Sequence, residues 1–222
     1  MTPAARLAYL ALALVSVASS LVPPFAGIEV LKAAPTALLV AVAARGSRPG
    51  YGVAVTLGVA MGSVGDFLLA TASPRLFVPG MVAFLVGHLA YIVAFLRRRD
   101  AALWRRRAIS IAATILYCVC AAAWVGVSDP IVDGRSVAWP VIGYVAILGA
   151  MTVAALVHRA STARIAWGAA VFVLSDSHIP INFFVLARPA LPLVLTGYAT
   201  YYLAQYLIVD GACRASGATA NA

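Results

Sequence analysis

The chain has 222 residues, of which 64% are hydrophobic and 10% are charged, and its mean hydropathy is +0.98. Soluble domains contain about 45–50% apolar and about 25% charged residues, so this composition excludes a soluble globular domain and indicates a polytopic membrane protein. The formal net charge is +9, but the basic residues lie in short loops between apolar runs. There they determine topology rather than bind nucleic acid.

Eight apolar runs follow one another along the chain, most of them close to the roughly 20 residues that cross a bilayer as a helix. The predicted spans are residues 6–22, 28–44, 51–71, 76–96, 108–127, 137–157, 164–187 and 190–210. Turn residues separate them. The sequence therefore predicts an all-α helical bundle that forms a single transmembrane domain over residues 1–210. Residues 211–222 are small and polar and are predicted to be a disordered tail.

The basic residues orient these spans. Twelve arginines fall on one side of the predicted bundle and three on the other. Because cytoplasmic loops carry the excess of Arg and Lys, both termini are predicted to be cytoplasmic. The alternative for the first span is a signal peptide cleaved after Ala18-Ser19-Ser20. The single basic residue before it, Arg6, favours a retained span, and the remaining topology is the same in either case.

Two aspartates, Asp66 and Asp176, lie deep inside the third and seventh spans. A carboxylate at that depth costs at least about 2.5–3.5 kcal/mol, so it is expected to face a partner or a watery cavity. At about 1.5 Å per residue, both aspartates lie between the midplane and the outer leaflet. The shared depth predicts that both carboxyl groups belong to one site.

Two further ionisable side chains, Lys32 and His88, lie in the second and fourth spans at depths between the midplane and the outer leaflet. Each has a simpler explanation. A lysine near the outer third can extend its ammonium group to the interface, and a single histidine on the stripe that it shares with Phe84 and Tyr91 is commonly a packing residue. Their common depth with the aspartates favours a role in the same site.

The neighbouring sequence predicts close helix packing around the aspartates. Gly58 and Gly62 continue to Asp66 at intervals of four, the pattern of small residues that lets membrane helices approach. In the seventh span, Pro180 cannot donate a hydrogen bond to the carbonyl of Asp176 and is expected to bend the helix. On an ideal helix Ser175, His178 and Asn182 share one face, with Asp176 roughly 100° away.

The eighth span carries Tyr201 and Tyr202 at mid-depth, followed by Gln205. A hydroxyl group at that depth needs a hydrogen-bond partner, which favours a polar cavity over an interfacial role. Tyrosines nearer the span ends, Tyr198 and Tyr206, fit the aromatic belt of the membrane interface. The three cysteines form neither a disulfide framework nor a metal-binding pair.

Several short motifs, in this order and spacing, resemble those of the YhhN family of lysoplasmalogenase-like integral membrane proteins. They are Lys32 with Pro35, the Gly65–Leu69 string, Phe84 to His88 with Tyr91, Ser175-Asp176 with a downstream Asn-Phe, and Tyr201 to Gln205. The resemblance extends from the second span to the eighth. The chain departs from the family pattern at His178-Ile179-Pro180.

The resemblance implies an eight-span enzyme of the cell membrane that hydrolyses the vinyl ether bond of a lysophospholipid within the bilayer. No cofactor or metal ligand is assigned, and whether a metal binds is left open. It implies Asp66 and Asp176 as catalytic residues. It further implies substrate-binding roles for Lys32, His88, Tyr91, Ser175, Asn182, Tyr201 and Gln205. Expected partners are the lysolipid and membrane lipids, and the oligomeric state is left open.

The residues fit this chemistry, because two carboxyl groups in different environments can divide acid and base roles. The alternative from another class is a small proton-coupled transporter or exporter, in which intramembrane Asp, His and Lys form a proton relay. Transport favours interrupted helices in corresponding positions of two halves. Only Pro180 convincingly interrupts the middle of a span, and no counterpart lies near Asp66. A non-catalytic scaffold would leave the buried carboxylates unexplained.

Overall fold

A computed structural model describes residues 1–45, 50–132, 134–159, 163–186 and 189–218. In these residues the fold is helical apart from one short hairpin. The helices are α1 (Pro3–Ala18), α2 (Ile28–Arg45), α3 (Tyr51–Ala70), α4 (Pro74–Leu96), α5 (Ala101–Arg106), α6 (Ala108–Ser128), α7 (Ala138–Leu156), α8 (Arg164–Pro180) and α9 (Leu191–Ala218). A 3-10 turn, Ser19–Leu21, follows α1, and a π-helical turn, Ile181–Val185, follows α8. Strands β1 (Ile131–Val132) and β2 (Arg135–Ser136) pair antiparallel.

Each predicted span corresponds to one long helix, with ends that differ by a few residues except at the C-termini of α8 and α9. The seventh span was predicted to reach residue 187, but α8 ends at Pro180 and only the π-helical turn continues it to Val185. Among the described residues, five helices are long and apolar enough to cross a membrane: α1 with its 3-10 turn, α3, α4, α6 and α7. The chain is therefore an all-helical membrane protein. The other long helices, α2, α8 and α9, contain more polar and ionisable residues, such as Lys32, Asp176 and Gln205. The count of eight spans stays a prediction.

The helices pack in pairs, mainly α2 with α3, α3 with α4, α6 with α7, and α8 with α9. Helix α1 lies against α2 and α9. One continuous apolar core unites α1, α2, α3, α4, α7, α8 and α9. Helix α6 lies outside that core and packs mainly against α7, so one side of the bundle is formed by a peripheral helix.

Small residues let α3 and α4 approach closely, as the spacing predicted. A Cβ atom on Gly58 would lie 2.5 Å from the ring of Tyr91, and one on Gly87 would lie 2.9 Å from the carbonyl oxygen of Gly58. A Cβ on Gly62 would lie 2.7 Å from the amide nitrogen of Gln205 on α9. The glycine stripe therefore makes room for polar side chains from neighbouring helices, in addition to bringing backbones together.

Helix α9 continues beyond the predicted span end at residue 210. The buried carboxylate of Asp210 pairs with the guanidinium groups of Arg164, at 2.5 Å, and Arg214, at 2.8 Å. The guanidinium of Arg98 donates to the carbonyl of Ala215 at 2.9 Å. These contacts hold α9 helical to Ala218, so the predicted tail begins as helix. Residues 219–222 of that tail lie outside the described residues.

The end of the bundle that contains Asp210 also brings together Met1, the start of α3, the end of α4 and the end of α7. The ring of His158 stacks on Tyr51 at 5.6 Å and meets Phe95 edge-on at 5.7 Å. Burial, with a smaller effect from the charge of Arg98, lowers the pKa of His158 from 6.5 to about 4. The imidazole is therefore neutral at physiological pH and packs as an aromatic ring.

Replacing Gly58 with Ala should destabilise the bundle. The new methyl group would overlap the Tyr91 ring, whose hydroxyl is held by Gln205 at 2.6 Å, so the ring cannot turn aside freely. We expect a loss of about 1–3 kcal/mol in the free energy of unfolding, the usual cost of overpacking. Thermal unfolding of the purified protein in detergent measures this loss.

Gly143→Ala is the matched control, because a Cβ at this α7 position has nothing within 4 Å. Removing a helical glycine there should be neutral or stabilise by up to about 1 kcal/mol. Equal melting temperatures for the two variants would contradict the close packing of α3 on α4.

Candidate active site

A cavity of about 560 Å³ lies between α3, α4, α8 and α9, and both intramembrane aspartates line it. Its mouth is formed by residues at the opposite end of the bundle from Asp210, including Ser73, Pro74 and Pro189. We call it the aspartate cavity. Its polar lining residues are Asp66, Ser73, Ser175, Asp176, His178, Asn182, Tyr198 and Tyr201. The predicted convergence of the third and seventh spans on one site is therefore present.

Asp66 is 5% exposed and is held by two hydroxyl groups. Thr36 of α2 donates to its Oδ2 atom at 2.7 Å, and Tyr201 of α9 donates to the same oxygen at 2.9 Å. Two donors from two different helices offset part of the cost of burying a carboxyl group. They also fix its orientation, because both converge on one oxygen.

A chain of hydrogen bonds supports the Tyr201 hydroxyl from behind. Tyr91 of α4 donates to Oε1 of Gln205 at 2.6 Å, and the Gln205 amide donates to the Tyr201 hydroxyl at 3.2 Å. Tyr201 in turn donates to Asp66, so the three hydrogen bonds all run in one direction, from Tyr91 to Asp66. Such chains polarise one another and rigidify a buried site. Tyr91 and Gln205 thus position Tyr201 from outside the cavity lining.

Asp176 accepts a hydrogen bond from the hydroxyl group of Tyr144, on α7, at 2.5 Å. The side chains that an ideal helix would separate are brought together here, because Ser175, Asp176, His178 and Asn182 all line the aspartate cavity. Pro180 near the end of α8 and the π-helical turn after it change the helical geometry at this point.

Ser175 and Asn182 tie the α8 segment to the start of α9. The Ser175 hydroxyl donates to the carbonyl of Gly197 at 3.1 Å, and the amide oxygen of Asn182 accepts from the backbone N–H of Ala190 at 3.0 Å. The ring of His178 lies 3.0 Å from the hydroxyl oxygen of Thr196. These contacts fix one wall of the cavity.

Lys32 is 3% exposed and does not extend to the interface. Its ammonium group donates to the carbonyl of Ser16 at 2.7 Å and to the hydroxyl of Ser20 at 2.6 Å, and it lies 3.8 Å from the centre of the Tyr198 ring. It is absent from the cavity lining, but its charge acts on Asp66. Lys32 is therefore a buried cation that the ring of Tyr198 separates from the aspartate cavity.

His88 is 2% exposed and packs among aromatic rings. Its ring meets Phe172 at 4.8 Å and Tyr144 at 5.4 Å, both edge-on. Neither ring nitrogen has a hydrogen-bond partner of normal geometry among the described residues, although the Phe84 carbonyl interacts with the ring. His88 does not line the cavity. It supports Tyr144, the donor to Asp176.

The sequence did not single out Thr36 or Tyr144, the hydroxyl donors to the two aspartates. Tyr198 was expected at the interface, but it lies between Lys32 and the cavity. A hydroxyl residue within an apolar run gives little signal by itself. The spacing of Thr36 from Lys32, one helical turn on, places both on one face of α2 and is the only sequence clue.

Among the described residues, no group of three or more His, Cys, Asp or Glu side chains has a geometry suited to a metal.

Comparison with known proteins places this site in a family. The family model described as "YhhN family" matches residues 28–212, which include both aspartates and every side chain that donates a hydrogen bond to them. The chain belongs to the YhhN family.

Two curated relatives are each named lysoplasmalogenase, one from Mycobacterium bovis and one from Mycobacterium tuberculosis. Each is 36% identical over 153 residues, covering 68% of this chain and 57% of the relative. The chain thus spans little more than half the length of the curated relatives that it matches. No solved structure gives a significant match.

Removing the Thr36 hydroxyl should weaken the fold around Asp66. Thr36→Val leaves a buried carboxyl group with one fewer donor, which should cost about 1–3 kcal/mol of unfolding free energy. Thr152→Val is the matched control, since the buried Thr152 hydroxyl donates only within α7, to Leu148, at 3.0 Å. It should cost less than about 1 kcal/mol.

A double-mutant cycle isolates the hydrogen bond itself. When Asp66→Asn is combined with Thr36→Val, we expect a coupling of about 0.5–3 kcal/mol, as for other residues in direct contact. Combined with Thr152→Val, it should be additive. Additive effects in both pairs would show that Thr36 does not support Asp66.

Proposed function

We propose that the chain is a membrane-embedded hydrolase that cleaves the vinyl ether bond of lysoplasmalogen-type lysolipids. The products would be a fatty aldehyde and a glycerophospho-alcohol. The observation that carries the proposal is that two intramembrane aspartates line one cavity. Membership of the YhhN family and the name of its mycobacterial relatives support the substrate class.

The proposed topology has eight spans in one domain of the cell membrane, with both termini in the cytoplasm. Arg164 and Arg214 gather around Asp210 at one end of the bundle, close to the N-terminal amine of Met1. A basic end is the one expected to face the cytoplasm. The aspartate cavity would then open towards the outer leaflet, where the polar part of an amphiphile enters most readily.

The first proposed step is proton transfer to carbon. A protonated carboxyl group gives its proton to the alkenyl carbon β to the ether oxygen, and the carbon–carbon π electrons form the new C–H bond. The adjacent carbon and the ether oxygen then share the positive charge as an oxocarbenium ion. The ionised carboxylate of the second aspartate stabilises that charge, because opposite charges attract strongly away from water.

The second step adds water. The ionised carboxylate removes a proton as the water oxygen bonds to the oxocarbenium carbon, giving a hemiacetal. The hemiacetal C–O bond to the glycerol side then breaks. Its hydroxyl proton returns to the carboxyl group that acted first, and the leaving oxygen takes a proton from the second. One water molecule is consumed, and both carboxyl groups regain their starting states.

The hydrogen bonds suggest how the aspartates divide these roles. Asp66 accepts two hydroxyl hydrogen bonds, and each of them favours the ionised form of the carboxyl group. Asp176 accepts one hydroxyl hydrogen bond, and Pro180 leaves its carbonyl without the usual helical donor. We therefore propose Asp176 as the acid and Asp66 as the stabilising base.

The remaining polar lining suits a headgroup. Ser175 is next to Asp176, and His178 and Asn182 follow Asp176 towards the mouth. They would contact the glycerol and phosphate of the lysolipid while its vinyl ether rests between the aspartates. Lys32, His88, Tyr91 and Gln205 would act through Tyr198, Tyr144 and Tyr201 rather than by touching the substrate.

The test is turnover by purified Asp66→Asn and Asp176→Asn proteins. Amide and carboxyl groups are nearly isosteric, so each variant should fold, and each should release aldehyde from lysoplasmalogen at least about 100-fold more slowly. The pH–rate profile of each should lose one limb, the acid-dependent limb in Asp176→Asn and the base-dependent limb in Asp66→Asn.

Asp100→Asn is the control, because the Asp100 side chain caps α5 at the opposite end of the bundle and asparagine preserves that cap. Its turnover should match that of the unmodified protein. If the unmodified protein and all three variants release aldehyde at similar rates, the carboxylate mechanism is wrong. If the unmodified protein releases none, the proposed reaction fails, and proton-coupled transport becomes the function to measure.

A further inference from the structure

Two more cavities lie along the inner side of α6, and both have mostly apolar linings. The first, of about 210 Å³, lies between α4, α6, α7 and α8 beside Asp176. The second, of about 580 Å³, lies between α4, α6 and α7 and reaches the end of the bundle at Trp104 and Val157. We call the two together the α6 groove.

The α6 groove adjoins the aspartate cavity. Asp176, Leu69 and Phe84 line both the aspartate cavity and the first part of the groove. Cys118 and Val145 line both parts of the groove. The three spaces are therefore neighbours in a series, and Asp176 lies at the junction of the aspartate cavity with the groove.

The groove exists because α6 is the peripheral helix. It packs mainly against α7 and contributes nothing to the main core, so a space remains between it and α4. The contact with α7 is close at Gly149, where a Cβ would lie 2.5 Å from the sulfur of Cys118. Ile115 and Val119 line the distal part of the groove and are more than half exposed, so it opens along the lipid-facing surface.

The size and lining of the groove match a hydrocarbon chain. From Tyr144 to Val157 along α7 is about 20 Å at 1.5 Å per residue. Half of the hydrocarbon core of a bilayer is about 15 Å, so the groove can hold the chain of a lipid from one leaflet. The polar side chains of the first part cluster near Asp176, and in the distal part the Thr114 hydroxyl is satisfied within its own helix by Ser110.

We infer that the α6 groove binds the alkenyl chain of the substrate and sets the chain length that the protein accepts. The inference rests on the proposed function. The headgroup occupies the aspartate cavity, the reactive bond lies at Asp176, and the chain runs along α6 towards Trp104. This arrangement orients the lipid, because the headgroup and the chain occupy different spaces. Only the vinyl ether bond between them then lies beside Asp176.

Three alanine-to-phenylalanine substitutions test the inference through chain-length preference. Ala121→Phe fills the part next to Asp176, Ala150→Phe fills the distal part, and Ala123→Phe places the same ring on an exposed face of α6 that lines neither part. The kcat/KM for aldehyde release is measured with a long-chain and a short-chain lysoplasmalogen that share a headgroup.

Ala150→Phe should lower the ratio of long-chain to short-chain kcat/KM by about tenfold or more, the effect of excluding about two methylene groups. Ala121→Phe should lower both values, because it obstructs the chain beside the reactive bond. Ala123→Phe should keep the ratio of the unmodified protein. An unchanged ratio in Ala150→Phe, with a folded and active protein, would overturn the inference.

A binding measurement separates the groove from the reaction. The probe is a saturated ether lysophospholipid with a diazirine near the chain terminus, which cannot undergo vinyl ether hydrolysis. On irradiation it should label α6 and α7 peptides around Thr114 and Val153, and Ala150→Phe should reduce that labelling while Ala123→Phe does not. If labelling is spread over the outer surface and Ala150→Phe leaves it unchanged, the groove does not bind the chain, whether or not the protein releases aldehyde.

Discussion

The cost of placing carboxyl groups inside an apolar helical bundle governs the structure of this protein. Without water, each carboxyl group needs donors from the protein, and the donors come from other helices: Thr36 and Tyr201 for Asp66, and Tyr144 for Asp176. Because α2, α3, α7, α8 and α9 each contribute a carboxyl group or one of its donors, the hydrogen bonds of the site also join five helices of the bundle. Stability and site geometry therefore depend on the same contacts.

Hydrogen bonds hold the side chains behind Asp66 in place, and cavities border the opposite side of the site. Behind Asp66, the chain from Tyr91 through Gln205 to Tyr201 fills the space that the α3 glycines leave, and Lys32 is held by Ser16 and Ser20 from the α1 segment. On the other side, the aspartate cavity and the α6 groove remain free. Such an arrangement suits acid–base chemistry, in which fixed groups must meet a flexible amphiphile.

Hydropathy and the cost of buried charge act on each residue separately, so the sequence predicted the helices and the burial of both aspartates. The order and spacing of short motifs indicated the family. It could not predict the partners of those aspartates. Thr36 and Tyr144 resemble other hydroxyl residues in apolar runs, and only the packing of α2 on α3 and of α7 on α8 brings them to a carboxyl group. The roles of Lys32 and His88 depend similarly on side-chain direction. The extension of α9 depends on ion pairs with distant residues.

The most direct measurement of the central claim is aldehyde release in D₂O. The aldehyde should be reduced at once to the alcohol, so that later exchange cannot alter its labelling. If a carboxyl group fixed in the aspartate cavity protonates the alkenyl carbon, the product carries one deuterium at C2, in a single stereochemical configuration. An aldehyde without deuterium would exclude protonation at carbon. Deuterium in both configurations would show that the proton comes from solvent rather than from a positioned aspartate.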